Sequence, residues 1–475
     1  MSHIASTYEV PCIYETLNAS RDDSPKRKSP LAVTVPGSKS ITNRALLLAT
    51  LAEGVSTLQG VLFSDDSRHF LKCIQDLGIE TTVKETEKII TVKGHGGTVP
   101  CREASLYVGS AGTAARFLTA YLGVSDGIYH LDASPQMRKR PMAPLLDSLQ
   151  ELGCQVCYEA WKSPLLTGDR LSNGTPAHST PADRAQTDDT HIGHFPYTLA
   201  GHGFCKDHIT VDIGHSSQFL SALLIASCLS DQDFTTCIEG SHGMSYIQMT
   251  LQMMAQFGVQ VEQTSPRTFL TRAGQRYQAR DYCVEPDASA ACYFYALSPL
   301  LGIPVMVPGI HFHSLQGDVA FLHLLARMGC TVTDSPQGII ACPPENGSFH
   351  GITADMSACS DQAITLAAIA PFADGPTTIQ GIGHIRFQES DRIRAVTTEL
   401  TKMGIHCEER EDSITVYPGC PTPSLVETYD DHRMAMGFAL PGLRSPGIVI
   451  DNPGCCCKTF ENYFQVLDQT IHCLI

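Results

Sequence analysis

Apolar positions along the chain fall into two alternating helical patterns. One is amphipathic, with apolar residues three and four apart, and it ends in glycine before a short strand. It occurs as FLKCIQDLG to Gly78, LLDSLQELG to Gly153, MTLQMMAQFG to Gly258, FLHLLARMG to Gly329 and TTELTKMG to Gly404. Each glycine predicts a left-handed C-terminal cap. The other pattern is alanine-rich and apolar nearly all round: RALLLATLAEG, TAARFLTAYLG, SSQFLSALLIASCL, SAACYFYALSPLLG, DQAITLAAIAPFADG and HRMAMGFALPG. A helix apolar on every side must be buried on every side.

These six segments begin near positions 44, 113, 216, 289, 361 and 432, at intervals of 69, 103, 73, 72 and 71 residues. The one long interval contains residues 163–194, rich in Gly, Pro, Ser, Thr and Asp, which read as a surface insertion. Without it the period is restored, and FENYFQVLDQTIHCL supplies a sixth amphipathic helix near the C-terminus. Short alternating strands (IITVKG, HITVDIG, SITVYPG) make the repeat an α/β unit. Six such units predict two halves of three, with helices inside and sheets outside.

A chain of 475 residues exceeds one ordinary core, so two domains are expected. It has no apolar run of the roughly 20 residues that a membrane helix needs. The first residues lack the pattern of a signal or transit peptide. Nineteen scattered cysteines, an odd number, suit a reducing compartment, and the cytoplasm is the expected location. Cys154 and Cys157 form one CxxC without a second pair at zinc-site spacing, so neither metal nor cofactor is expected. The net charge of −16 disfavours nucleic acid and anionic membranes as partners. Any phosphate chemistry would need cations gathered locally.

The lead-ins to the buried helices supply them. These are PGSKSITNR (36–44), VGSAGTAAR (108–116), GHSSQ (214–218), EPDAS (285–289), ACSDQ (358–362) and TYDDHR (428–433). Ordinary N-capping accounts for any one of them, and for Asp287 it is the preferred reading. Six equivalent helix N-termini facing one cleft would instead trap anions, with Lys39, Arg44, Arg116, Arg140, Arg392, Arg433 and Lys458 close by.

With those strings in order, together with RKRP, SLQGD, QESDRI and KTF, the chain over about residues 32–467 resembles the 5-enolpyruvylshikimate-3-phosphate synthase family. The resemblance implies a two-domain inside-out α/β barrel of six βαβαββ-type units. Residues 1–36 would join 283–475 in one domain, and 37–282 would form the other. It implies an enolpyruvyl transferase acting on phosphoenolpyruvate and shikimate 3-phosphate as a monomer. Phosphoenolpyruvate would meet Lys39, Gly112, Arg140, Gln218, Arg392, Arg433 and Lys458. Shikimate 3-phosphate would meet Ser40, Arg44, Ser216, Ser217, Gln218, Tyr246, Asp361, His384 and Gln388. Asp361, Glu389 and Lys39 would carry the chemistry.

Four departures fall mostly on the acceptor side. Gln388 stands for a usual lysine, His384 and Ser110 for usual asparagines, and residues 243–246 read Gly-Met-Ser-Tyr rather than Ser-Lys-Pro-Tyr. Two alternatives follow: a transferase with another acceptor, such as UDP-N-acetylglucosamine, or a homologue that binds an anionic metabolite without turnover.

Overall fold

The computed structural model describes residues 6–19, 29–158, 192–240 and 243–475. Positions 163–191 of the expected insertion therefore lie outside the described residues. The all-apolar segments form helices at Lys39–Leu51, Gly112–Gly123, Gln218–Ser227, Ala288–Tyr295 (continued by Leu297–Leu301), Ala363–Ile369 and His432–Gly442. Every residue of Gly112–Gly123 and of Ala363–Ile369 is buried, as their composition demands. The amphipathic helices are Asp65–Asp76, Ala143–Glu151, Met244–Gln256, Ala320–Arg327, Arg392–Lys402 and Tyr463–His472. All five capping glycines have φ between 79° and 104°, a region in which a side chain is strained.

Two local details differ from the helical pattern. Ala363–Ile369 starts late, because Ser360–Gln362 forms a separate 3-10 turn that presents Asp361 sideways. The helix also ends early, in the Ala370–Phe372 3-10 turn, since Pro371 has no N–H to continue it.

Five sheets share one order. A strand leading into a buried helix pairs in parallel with a strand leaving one, which then pairs with a hairpin; in three of the five the two parallel strands flank the same helix. His208–Asp212, Phe234–Glu239, Thr268–Thr271 and Val261–Ser265 are one example. The sixth sheet has three strands: Ser424–Val426 beside Ile448–Asp451, with Thr7–Glu9 where the hairpin would lie. No sheet closes on itself among the described residues.

Two lead strands are exchanged. Leu31–Ala32 precedes the Lys39–Leu51 helix yet pairs with Val305–Met306. Asp281–Cys283 precedes the Ala288–Tyr295 helix yet pairs with Glu53–Gln59. The two segments bridge at Gly37 and Pro286. Apolar side chains form two separate cores on either side of this crossing. One draws on residues 41–284, the other on 10–35 and 288–471. No helix among the described residues is long and apolar enough to cross a membrane.

Candidate active site

Five of the six buried helices present N-terminal residues to one cleft between the two cores, while the Ala288–Tyr295 helix is capped by Asp287 and lends no lining residue. On the first side, Ser38 caps the Lys39–Leu51 helix, and the Lys39 N–H donates to Asp287 Oδ2 at 3.0 Å across the crossing. The Lys39 ammonium lies 3.4 Å from Asp66. One turn on, Arg44 is buried, with Nε donating to Thr250 Oγ1 (2.8 Å) and Nη1 to Ser40 O (3.1 Å). Arg116, also buried, donates to Pro141 O at 3.2 Å, and Arg140 lies partly open to the cleft.

Among the described residues, Arg44, Arg116 and Arg140 make no ion pair with any carboxylate. Burial pushes the Arg44 guanidinium down to about 10, and burial with the neighbouring Arg140 lowers Arg116 further. The buried Arg116 Nε, Arg140 Nε and Gln218 Oε1 have no hydrogen-bond partner. Buried charge and unmet N–H donors are both expensive, so the Arg116 and Arg140 guanidiniums favour an anion beside them.

The second side is paired. Arg392 donates to Asp431 through Nε (2.8 Å) and Nη2 (3.2 Å), and through Nη1 to Asp361 Oδ1 (3.0 Å) and Gln388 Oε1 (3.3 Å). Arg433 Nη2 and Tyr246 OH, from opposite sides of the cleft, each reach Asp361 Oδ2 at 2.7 Å. Burial favours a neutral Asp361, but Arg433 and Arg392 outweigh it and hold the carboxyl well below the usual carboxylate range. Glu389 accepts from His432 Nδ1 at 2.8 Å and lies 3.0 Å from Lys458 Nζ. Burial again opposes, and His432, Lys458 and Arg392 again prevail, so Glu389 is held ionised. His432 itself is lowered by burial.

One cleft is lined by Lys39, Ser40, Arg44, Gly112, Arg140, Ser216, Ser217, Gln218, Tyr246, Asp361, Gln388, Glu389, Arg392 and Arg433. Lys458 lines a neighbouring cavity and reaches the cleft through Glu389. His384 stands behind it, with Nε2 2.8 Å from Ser360 Oγ. Ser110 turns instead to Ser134 Oγ at 2.7 Å. Gly243 adopts φ 67°, and a Cβ there would stand 2.4 Å from Ser217 Oγ, so Ser217 fills the space a larger residue would take. The lining also includes Asp66, His215, Phe387 and His432, which sequence reasoning left unassigned. His432 was visible in DDHR beside Arg433, but no lead-in string contains Asp66.

Guanidiniums, ammoniums and two carboxylates converging between two three-unit α/β halves define a class: group-transfer enzymes acting on small polyanions. Comparison with known proteins narrows it. The profile of EPSP synthase (3-phosphoshikimate 1-carboxyvinyltransferase) matches residues 27–176 and 194–467. A 3-phosphoshikimate 1-carboxyvinyltransferase from a Nostoc species is 44% identical over 91% of this chain and 94% of its own. That of Nostoc punctiforme is 42% identical over 98% and 100%. In three dimensions the EPSP synthase of Acinetobacter baumannii superimposes with a TM-score of 0.73, covering 98% of each chain at 22% identity. The chain belongs to the EPSP synthase family and has its two-domain α/β fold.

Proposed function

We propose that this chain transfers the enolpyruvyl group of phosphoenolpyruvate to the 5-hydroxyl of shikimate 3-phosphate, releasing phosphate. The observation that carries the reading is the set of three guanidiniums without carboxylate partners, Arg44, Arg116 and Arg140, facing Asp361 and Glu389. Two polyanions fit that asymmetry, one on the unpaired guanidiniums and one bridging them to the ion-paired cations opposite. Arg44, Ser216 and Ser217 would take the acceptor's phosphate. Lys39, Arg140, Arg392, Arg433 and Lys458 would take phosphoenolpyruvate, with Gly112 and Gln218 beside it.

The ion pairs also set the order of events. In the free protein Asp361 is a poor base, because Arg392 and Arg433 hold it ionised. An incoming phosphoenolpyruvate competes for both guanidiniums and raises the basicity of Asp361 when the acceptor hydroxyl arrives. Asp361 then takes the hydroxyl proton as oxygen attacks C2, and Glu389, released from Lys458 and protonated from solvent as the substrates bind, delivers that proton to C3. Lys39 stabilises the bridging oxygen of the tetrahedral intermediate. Return of a C3 proton to Glu389 and cleavage of the C2–O bond to phosphate, which leaves with the proton held by Asp361, complete the transfer.

Gln388 favours a cleft that grips the acceptor hydroxyls less tightly, since it offers a neutral amide already in contact with Arg392. The domain division at residues 36–37 and 282–283, a monomeric state and a reducing cytoplasmic location belong to the same proposal. Nineteen free thiols support the last.

Incubating the chain with both substrates and following vinyl protons by NMR tests the reading. Enol-ether signals growing in step with free phosphate are expected. Tight binding without product would favour a non-catalytic homologue, and product with UDP-N-acetylglucosamine instead would change the acceptor.

A further inference from the structure

The SLQGD string at residues 314–318 supports the family resemblance and has no assigned role at the site, yet it holds a buried carboxylate. Asp318 is 4% exposed and makes no ion pair among the described residues. Its Oδ2 accepts from Ser289 Oγ at 2.8 Å and its Oδ1 from Gln362 Nε2 at 3.2 Å. Both partners lead into the cleft. Ser289 Oγ also accepts from Arg433 Nη2, at 3.5 Å. Gln362 follows Asp361 in the 3-10 turn, and its other end accepts from Thr365 Oγ1 at 3.1 Å. The residue that carries the Asp361 backbone onward is thus clamped at both ends of its side chain.

The same segment is anchored to the crossing of the two halves. Gln316 Nε2 donates to Glu285 Oε2 (3.1 Å) and Pro286 O (2.8 Å), and its Oε1 accepts from Ala288 N (2.9 Å). Asp318 therefore stands on a segment anchored at the crossing and holds two groups one step behind the cleft, Ser289 against Arg433 and Gln362 next to Asp361. The charged groups facing it are Asp361, Asp287 and Arg433, with neutral Tyr246, Cys292 and Cys359 around them. An apolar core would not place a third carboxylate beside Asp361 and Asp287, because burying it without a cation is costly.

We propose that Asp318 is a positioning residue for the transfer reaction: through Ser289 and Gln362 its carboxylate orients Arg433 and Asp361. The inference rests on the functional reading above. A proton relay is not its role, since the path from Asp361 runs through the Arg433 guanidinium, which does not give up its proton. Orientation requires the ionised form, because a neutral carboxyl cannot accept from both donors at full strength. Burial and the nearby Asp361 push the Asp318 carboxyl up to about 6, within reach of an activity profile.

The test compares wild type, Asp318→Asn and Ser289→Ala by initial-rate phosphate release from phosphoenolpyruvate and shikimate 3-phosphate across that pH range. Asp318→Asn should lower kcat by about tenfold at neutral pH, through Asp361, and raise the phosphoenolpyruvate KM about threefold or more, through Ser289 and Arg433. The wild-type to variant ratio of kcat should shrink as pH falls through about 6, where wild type loses the same charge. Titration of the substrates' own phosphates affects both proteins and cancels in that ratio. Ser289→Ala, which cuts only the Arg433 branch, should share the raised phosphoenolpyruvate KM and lower kcat less than Asp318→Asn does. A ratio that does not change with pH, or a folded Asp318→Asn variant as active as wild type, overturns the inference. Should Asp318→Asn not fold, an unchanged KM in Ser289→Ala overturns it equally. A wild type without turnover sinks the functional reading itself, and this inference with it.

Discussion

Glu389 and Asp361 sit in the same cleft with opposite needs, and the ion pairs around each decide what a substitution does. Glu389 has to gain a proton that Lys458 and His432 deny it in the free protein. Glu389→Gln keeps the shape and removes the exchangeable charge. Turnover should fall at least about 100-fold with substrate affinity little changed, measured by steady-state kinetics; an unchanged rate takes Glu389 out of the chemistry. Gly112 tests the anion side. A Cβ there would stand 2.7 Å from Arg140 Nη1 and 3.2 Å from Arg116 Nη1. Both are ends of flexible side chains, so Gly112→Ala should fold normally and raise the phosphoenolpyruvate KM about tenfold by displacing them. The cations were legible in the sequence because each sits in or near a lead-in string. The Glu389–His432 contact was not, since it joins positions 43 apart. Asp318 escaped notice because nothing local marks a carboxylate as buried.

At the scale of elements, the two helix types were readable because the amphipathic helices bury one stripe and the others bury every face, and each leaves its own periodicity. The exchange of lead strands was not readable from the hydrophobic pattern; only the family resemblance implied that residues 1–36 join the C-terminal half. Leu31–Ala32 and Asp281–Cys283 are two and three residues long, too short to carry an alternating pattern. What marks the crossing is Gly37, where an added Cβ would lie 1.9 Å from the Gly60 carbonyl oxygen, a backbone atom that cannot swing aside. Gly37→Ala should destabilise the chain by about 2 kcal/mol or more in urea unfolding, the usual penalty for overpacking. A cost below about 0.5 kcal/mol would mean the crossing relaxes freely.

Over the whole molecule, a net charge of −16 coexists with a cleft that gathers seven cations through direct lining and one ion pair. Within this acidic chain the cleft retains a local positive field for small anions. The buried pairs also fix the response to acid. Asp361, Asp431 and Glu389 all lie below their ordinary values, so their stabilisation is complete above about pH 4.5 and is lost as pH falls further. Asp318 works the other way. Raised to about 6, it favours the folded state most below about pH 4, and that share disappears as pH climbs through 6. Melting temperature against pH should therefore drop steeply on the acid side, and Asp318→Asn should remove only the shallow decline approaching neutrality. A melting curve flat down to about pH 3 would contradict the pairing scheme.

The most direct measurement is a crystal structure of the chain with shikimate 3-phosphate and an unreactive analogue of phosphoenolpyruvate. Both ligands should lie between the two cores, the acceptor phosphate on Arg44 and the three-carbon acid spanning Arg140 and Arg392. Ligands bound to one half alone, or anywhere away from the unpaired guanidiniums, would contradict the account.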